Sequence, residues 1–160
     1  MDKILTGKAR IKKLNRLNLS FSDGTGSMNV LNDILICHHN PGAMSRYFLT
    51  VGRIKEEQRS SGVWIATAAG SSGGLHSAGG KVLPQENKEF QYKTRELYRK
   101  KNTHYHLKGG ILKSTQKITM TSLMREGVVF VDGSHVCLPF SFGARIFVRR
   151  SPNPLKIIFG

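Results

Sequence analysis

Short runs of strand-forming residues, interrupted again and again by glycine or proline, constrain this chain more than any other feature. The segment 10–21 reads as a first strand: late in it Leu17, Leu19 and Phe21 alternate with Asn18 and Ser20, the period-two pattern of a strand with one buried face. Residues 29–37 read as a second strand, apolar enough to be covered on both faces, and Pro41-Gly42 marks the turn after it. Ser45–Val51 is a third strand ended by Gly52, and residues 63–67 are a fourth. Similar runs recur at 90–98, 104–112, 116–123, 128–132, 145–149 and 155–159. The polar stretch 55–61 reads as a loop, and Asp23-Gly24-Thr25-Gly26 as a hairpin turn between two strands. Helical periodicity is almost absent; residues 71–78 alone, behind a Gly/Ser-rich turn, suggest a short helix. The pattern predicts an all-β fold, a layered β-sandwich of many short strands, in one domain over residues 1–160.

At 160 residues with 39% apolar and 22% charged content, the chain can build a real core. Its apolar runs fall well short of the roughly 20 residues that cross a bilayer, and Met1-Asp2-Lys3-Ile4-Leu5 lacks a signal peptide's long apolar core. Two cysteines, Cys37 and Cys137, fit a reducing, cytoplasmic setting. Without a C-x-x-C partner they read as small packed hydrophobes and not as metal ligands. Histidines 38, 39, 104, 106 and 135 lack acidic or cysteine partners at ligand spacing, so no metal site is expected; 104 and 106 would share one face of a strand. Twenty-five Lys and Arg against ten Asp and Glu give a net charge of +15, a field that draws polyanions. Yet the charge is spread along the chain, with no helix-turn-helix, zinc-finger or RNP-like pattern to mark a nucleic-acid reader.

The stretch Thr67-Ala68-Ala69-Gly70-Ser71-Ser72-Gly73-Gly74-Leu75-His76-Ser77-Ala78-Gly79-Gly80 directly follows the apolar run Val63-Trp64-Ile65-Ala66. A strand feeding such a turn exposes backbone N–H groups and lets a ligand approach the main chain, as a nucleotide diphosphate requires. Asn32-Asp33 sits in mid-strand among apolar neighbours, where each polar group needs a partner. Nearby backbone is one such partner. A ribose hydroxyl on the carboxylate and a purine edge on the carboxamide are the other. Asp132, in Asp132-Gly133-Ser134-His135, reads as a hairpin turn residue. Arg59 is either a phosphate partner or a solvated surface cation. No Ser-His-Asp arrangement or G-x-S-x-G elbow is present, and no catalytic residue is assigned.

The wording of the glycine-rich stretch, T-x-x-G-S-[ST]-x-x-x-x-S-A-G-G, resembles the nucleotide-binding segment of the NAD kinases, usually written T-P-T-G-S-T-A-Y-x-x-S-A-G-G. Leu31-Asn32-Asp33 resembles the family's L-N-[ED] motif. Val131-Asp132-Gly133, then Phe142-Gly143-Ala144-Arg145-Ile146 and Arg150-Ser151-Pro152, resemble its C-terminal strands in the right order. The likeness runs over nearly the whole chain but only over the family's C-terminal half. The G-G-D-G motif of the other half, whose Asp is the presumed base, has no counterpart here.

That resemblance implies a layered β domain that holds the acceptor NAD(H) in an enzyme moving the ATP γ-phosphoryl group, with Mg²⁺, onto the adenosine ribose 2′-hydroxyl. It implies dinucleotide contacts from Asn32, Asp33, Ala69, Ser72, Gly73, Gly74, Ser77 and Asp132, and it places Arg59 where some bacterial relatives carry R-G-D-G. Assembly into a homodimer or tetramer, a partnering N-terminal domain absent from this chain, and inactivity of the chain alone follow from the same likeness. Asp33 stands where Glu is usual, Ala68-Ala69 replaces Pro-Thr, and Gly74 replaces a Tyr, as in the NADH-kinase branch of plants. Donor and acceptor preference therefore stay open. The rival readings are a non-catalytic basic module for nucleic acid and a domain of a related lipid kinase.

Overall fold

The computed structural model describes residues 10–159. Its strands are β1 (Arg10–Leu14), β2 (Leu17–Phe21), β3 (Ser27–Val30), β4 (Asp33–His38), β5 (Ser45–Val51), β6 (Ile54–Ser60) and β7 (Gly62–Ala66). After a short helix α1 (Gly74–Ser77) come β8 (Phe90–Arg95), β9 (Gly109–Leu112), β10 (Lys117–Ser122), β11 (Gly127–Val131), β12 (Val136–Pro139), β13 (Arg145–Arg150) and β14 (Leu155–Phe159). They form two six-stranded antiparallel sheets, ordered β3-β2-β13-β10-β5-β6 and β12-β11-β4-β7-β8-β9, and a two-stranded ribbon of β1 and β14. The all-β sandwich with one short helix is the architecture that the strand pattern predicts.

Alternation along the strands builds the core. Leu17, Leu19, Tyr47, Leu49, Ile118, Met120, Ile146 and Val148 point inward from the first sheet. Ile34, Ile36, Val63, Ile65, Phe90, Tyr92, Val129 and Val131 meet them from the second. A polar cluster lies within this core: the Tyr47 hydroxyl is 2.7 Å from Ser60 Oγ and donates to Gln58 Oε1 at 3.2 Å, while Gln58 Nε2 donates to the Leu107 carbonyl at 2.8 Å. Every buried side-chain polar atom among the described residues has a partner, as a dry interior requires.

Several boundaries differ from the sequence reading. The segment 10–21 is two strands, β1 in the ribbon and β2 in the first sheet. The segment 29–37 is also two strands, β3 and β4, which belong to opposite sheets. Leu31 and Asn32 form the crossing between the layers, so Asn32-Asp33 stands at a strand entrance and not in mid-strand. The stretch expected as a loop over 55–61 is strand β6, paired along its length with β5. Its inward residues are Glu56, Gln58 and Ser60, so the apolar alternation that reveals a strand is missing. His104 and His106 precede β9 and do not share a strand face. Edge strand β12, short and ending in Pro139, gave no sequence signal.

Candidate functional site

Three distant segments converge at one end of the second sheet. The centre is Asp132, in the turn between β11 and β12. Its carboxylate accepts the backbone N–H of Leu31 at 3.0 Å, of Asn32 at 2.6 Å and of Asp33 at 3.3 Å. Its own N–H donates to the Asp33 carbonyl at 2.9 Å. The backbone of Asp132 has φ +50°, a left-handed conformation that Asp tolerates better than most residues. One carboxylate thus captures the amides that a continued strand would have used, which explains the break between β3 and β4.

The glycine-rich loop docks on the same crossing. Thr67 N–H donates to the Asn32 carbonyl at 2.9 Å, and its hydroxyl donates to the Leu31 carbonyl at 2.7 Å. Gly70 N–H returns to Thr67 Oγ1 at 3.2 Å. Gly70 is irreplaceable in this packing: a Cβ there would come within 2.2 Å of the Asn32 carbonyl oxygen. Ser71 is buried, donates to the Ala68 carbonyl at 2.7 Å and accepts from Leu83 N–H at 2.8 Å, so it ties the loop to the chain beyond α1.

This scaffold fixes the backbone of Asn32 and Asp33 and presents their side chains. Asn32 is exposed and Asp33 is half-buried. Burial, and then the nearby charge of Asp132, raise the Asp33 carboxyl above the usual carboxylate range. An Asp33 oxygen lies 3.8 Å from where a Cβ of Gly73 would stand, so the carboxylate faces the bare backbone of the loop. Next to it, β11, β4 and β7 carry Phe130, Leu35 and Trp64 side by side on the outward face of the sheet. With Asp33, Gly133 and Ser134 these residues line a recess of about 290 Å³.

The structure brings Asn32, Asp33, Asp132, Ala69, Gly73 and Gly74 around this corner. Asp132 holds backbone there and orients its neighbours. Ser72 is exposed on the loop beside Gly73. Ser77 is exposed on α1, and its N–H donates to the Gly73 carbonyl at 3.2 Å. Arg59 stands apart. It pairs with Arg46, next to Ser45, and Ser45 Oγ accepts from His38 N–H at 2.9 Å. That is the far end of β4 from Asp33, about 16 Å of strand away. Trp64, Leu35 and Phe130 were not singled out as site residues in the sequence. Their signal is register: all three share the outward face with Asp33, which alternation from Asp33 to Leu35 reveals only once the neighbouring strands are known. A larger recess, about 510 Å³, lies between β2 and β3 of the first sheet and β12 of the second, but its carboxylate, Asp23, is engaged by the N–H and hydroxyl of Thr25 at 2.9 and 2.7 Å. No group of three or more His, Cys, Asp or Glu at metal-binding distance occurs among the described residues.

No protein-family profile matches the chain. It is 32% identical over 164 residues to a probable NADH kinase of Oryza sativa subsp. japonica, covering 99% of this chain and 50% of that protein. It is 32% identical over 99 residues to an NADH kinase of Arabidopsis thaliana, covering 62% of this chain and 31% of that protein. The fold superposes on yeast NADH kinase complexed with NADH with a TM-score of 0.82 at 17% identity, over 99% of this chain and 47% of that one. An NAD kinase from Archaeoglobus fulgidus in complex with ATP gives 0.75 at 21% identity, over 98% of this chain and 57% of that one. The chain therefore spans half, or less, of the curated relatives it matches. With the L-N-D crossing, the glycine-rich loop and the Asp132 turn gathered at one corner of the β-sandwich, the chain is similar over nearly its whole length to NAD(H) kinases and carries the fold of the NAD kinase C-terminal domain.

Proposed function

We propose that this domain holds the dinucleotide NAD(H) for phosphorylation of its adenosine ribose 2′-hydroxyl, with the phosphoryl donor and the base supplied by the part that the relatives possess and this chain does not match. The observation that carries the reading is the Asp33 carboxylate. It is half-buried, set on a backbone locked by Asp132, and aimed at the side-chain-free Gly73. Such a group accepts two hydroxyl hydrogen bonds at a fixed height above a surface that a ligand can approach closely. Asn32, exposed beside it, adds a donor and an acceptor for a base edge. The glycine-rich turn supplies backbone near the phosphates. The net charge of +15 draws a dianionic dinucleotide toward the domain at low salt.

In this reading Mg²⁺ with ATP belongs to the enzyme's other half. Phosphoryl transfer there depends on positioning and charge neutralisation, and this domain contributes the first by fixing the acceptor sugar. Self-assembly into a dimer or tetramer through the β domain belongs to the same proposal, as does inactivity of the 160-residue chain by itself.

Calorimetric titration with NAD⁺ and NADH tests the reading. Asp33→Ala is expected to weaken binding roughly 10- to 150-fold, the loss of one charged hydrogen bond worth about 1.5–3 kcal/mol, and Asn32→Ala roughly 2- to 12-fold, the loss of a neutral one worth about 0.5–1.5 kcal/mol. Unchanged affinity in folded variants would move the site elsewhere. NADP(H) formation by the chain alone with Mg·ATP would show that it carries its own base.

A further inference from the structure

We propose that the Trp64 indole is the platform on which a planar ring of the bound dinucleotide stacks, occupying the place that a side chain at position 74 would need. The proposal rests on the dinucleotide reading above. Trp64 lies on β7 opposite Leu35 and faces outward, one strand from the β4 edge that carries Asp33. Gly74 opens α1 directly above it. A Cβ on Gly74 would fall 2.5 Å from Cζ2, 2.8 Å from Cε2 and 3.0 Å from Cη2 of the indole. The six-membered edge of the ring is thus pressed against bare backbone, and position 74 has no room for any side chain. Where many relatives place a Tyr on the loop, this chain supplies an aromatic surface from the sheet below.

The ring is fixed along that edge, yet Trp64 stays half-exposed and forms a wall of the recess that ends at Asp33. Leu35 and Phe130 continue the apolar floor, and Gly133 and Ser134 form the rim. At about 290 Å³ the recess sits just below the roughly 300–1,000 Å³ of clefts that enclose a drug-sized ligand, so it takes one ring system and not a whole dinucleotide. Its single ionisable group is an acid, which repels phosphate and accepts sugar hydroxyls. An apolar floor with one carboxylate at its end matches a nucleoside: base on the indole, sugar on Asp33, phosphates directed out toward the glycine-rich loop. Rigid clamping lowers the ordering cost of stacking.

Trp64 is the chain's one tryptophan, so its emission reports on this contact alone. NAD⁺ is the probe, titrated in parallel by calorimetry and by tryptophan fluorescence. We expect saturable heat and a quench of the indole emission with the same midpoint. Trp64→Leu should bind NAD⁺ about five- to tenfold more weakly, while Trp64→Phe, which keeps a flat face, should stay within about twofold of wild type. Saturable heat with unchanged emission, or wild-type affinity in Trp64→Leu, overturns the platform and leaves the dinucleotide reading standing. Absence of saturable heat in the wild-type chain overturns both.

Discussion

Asp33 is where stability and the proposed binding role pull against each other. Its carboxyl is raised by burial and by the neighbouring Asp132 charge. In the interval between its unfolded and folded pKa, the native state holds a proton that the unfolded chain has released. Stability therefore falls as pH rises through that interval, and the penalty persists above it. Asp33→Asn removes the penalty. The variant should melt higher than wild type at neutral pH, with the gap closing once pH drops below the usual carboxylate range of about 3.9. Thermal unfolding of both proteins across pH checks this, and an Asn variant that melts lower at neutral pH would contradict it. Asp33 was legible in the sequence as a candidate because the L-N-D wording and the oddity of a carboxylate among apolar residues both mark it. The packing of Trp64 against Gly74 was not. That contact joins a strand to a turn ten residues on, and nothing in the local pattern says which face of that strand the turn folds over.

Strand β6 shows how an element escapes the usual signal. It closes one edge of the first sheet with polar side chains turned inward: Gln58 and Ser60 satisfy the buried Tyr47 hydroxyl, and Glu56 accepts the N–H groups of His106 at 2.7 Å and Leu107 at 3.1 Å. An inward acid on an edge strand also discourages pairing with a stray strand. A reading based on apolar periodicity finds the central strands, whose inward residues are Leu, Ile and Val, and misses this one. Burial acts to raise the Glu56 carboxyl, but the hydrogen bonds from His106, Leu107 and Gln58 outweigh it and hold it below its ordinary value. The stabilisation it gives is present above the unfolded carboxylate pKa and is lost as pH falls through the folded one. Glu56→Ala should cost about 1.5–3 kcal/mol near neutral pH, the loss of hydrogen bonds to a charged group. Denaturant unfolding measures it, and a loss that is equally large well below the folded pKa would show that packing, and not the charge, matters here.

For the molecule as a whole, the sandwich was foreseeable because both sheets obey the period-two rule along most of their strands. The strand order was not, since antiparallel pairing across 100 residues leaves no local trace. A chain of net charge +15 repels its own copies, so the expected self-association should strengthen as added salt shortens the Debye length toward about 10 Å and below. Sedimentation at several ionic strengths checks this, and a strict monomer at high salt and high concentration would remove the assembly claim. The hub at Asp132 carries one more consequence, for the order of events during folding. Its carboxylate joins residues 100 positions apart, and the glycine-rich loop reaches the same crossing from 35 positions away. No fragment or early hairpin contains this corner, and closing such long loops slows folding. The corner therefore exists only in chains whose β4, β7 and β11 have already come together. On the proposed function, a dinucleotide seated there would select finished molecules, and at 100 times its dissociation constant it would deepen their stability by about 2.7 kcal/mol without assisting any intermediate.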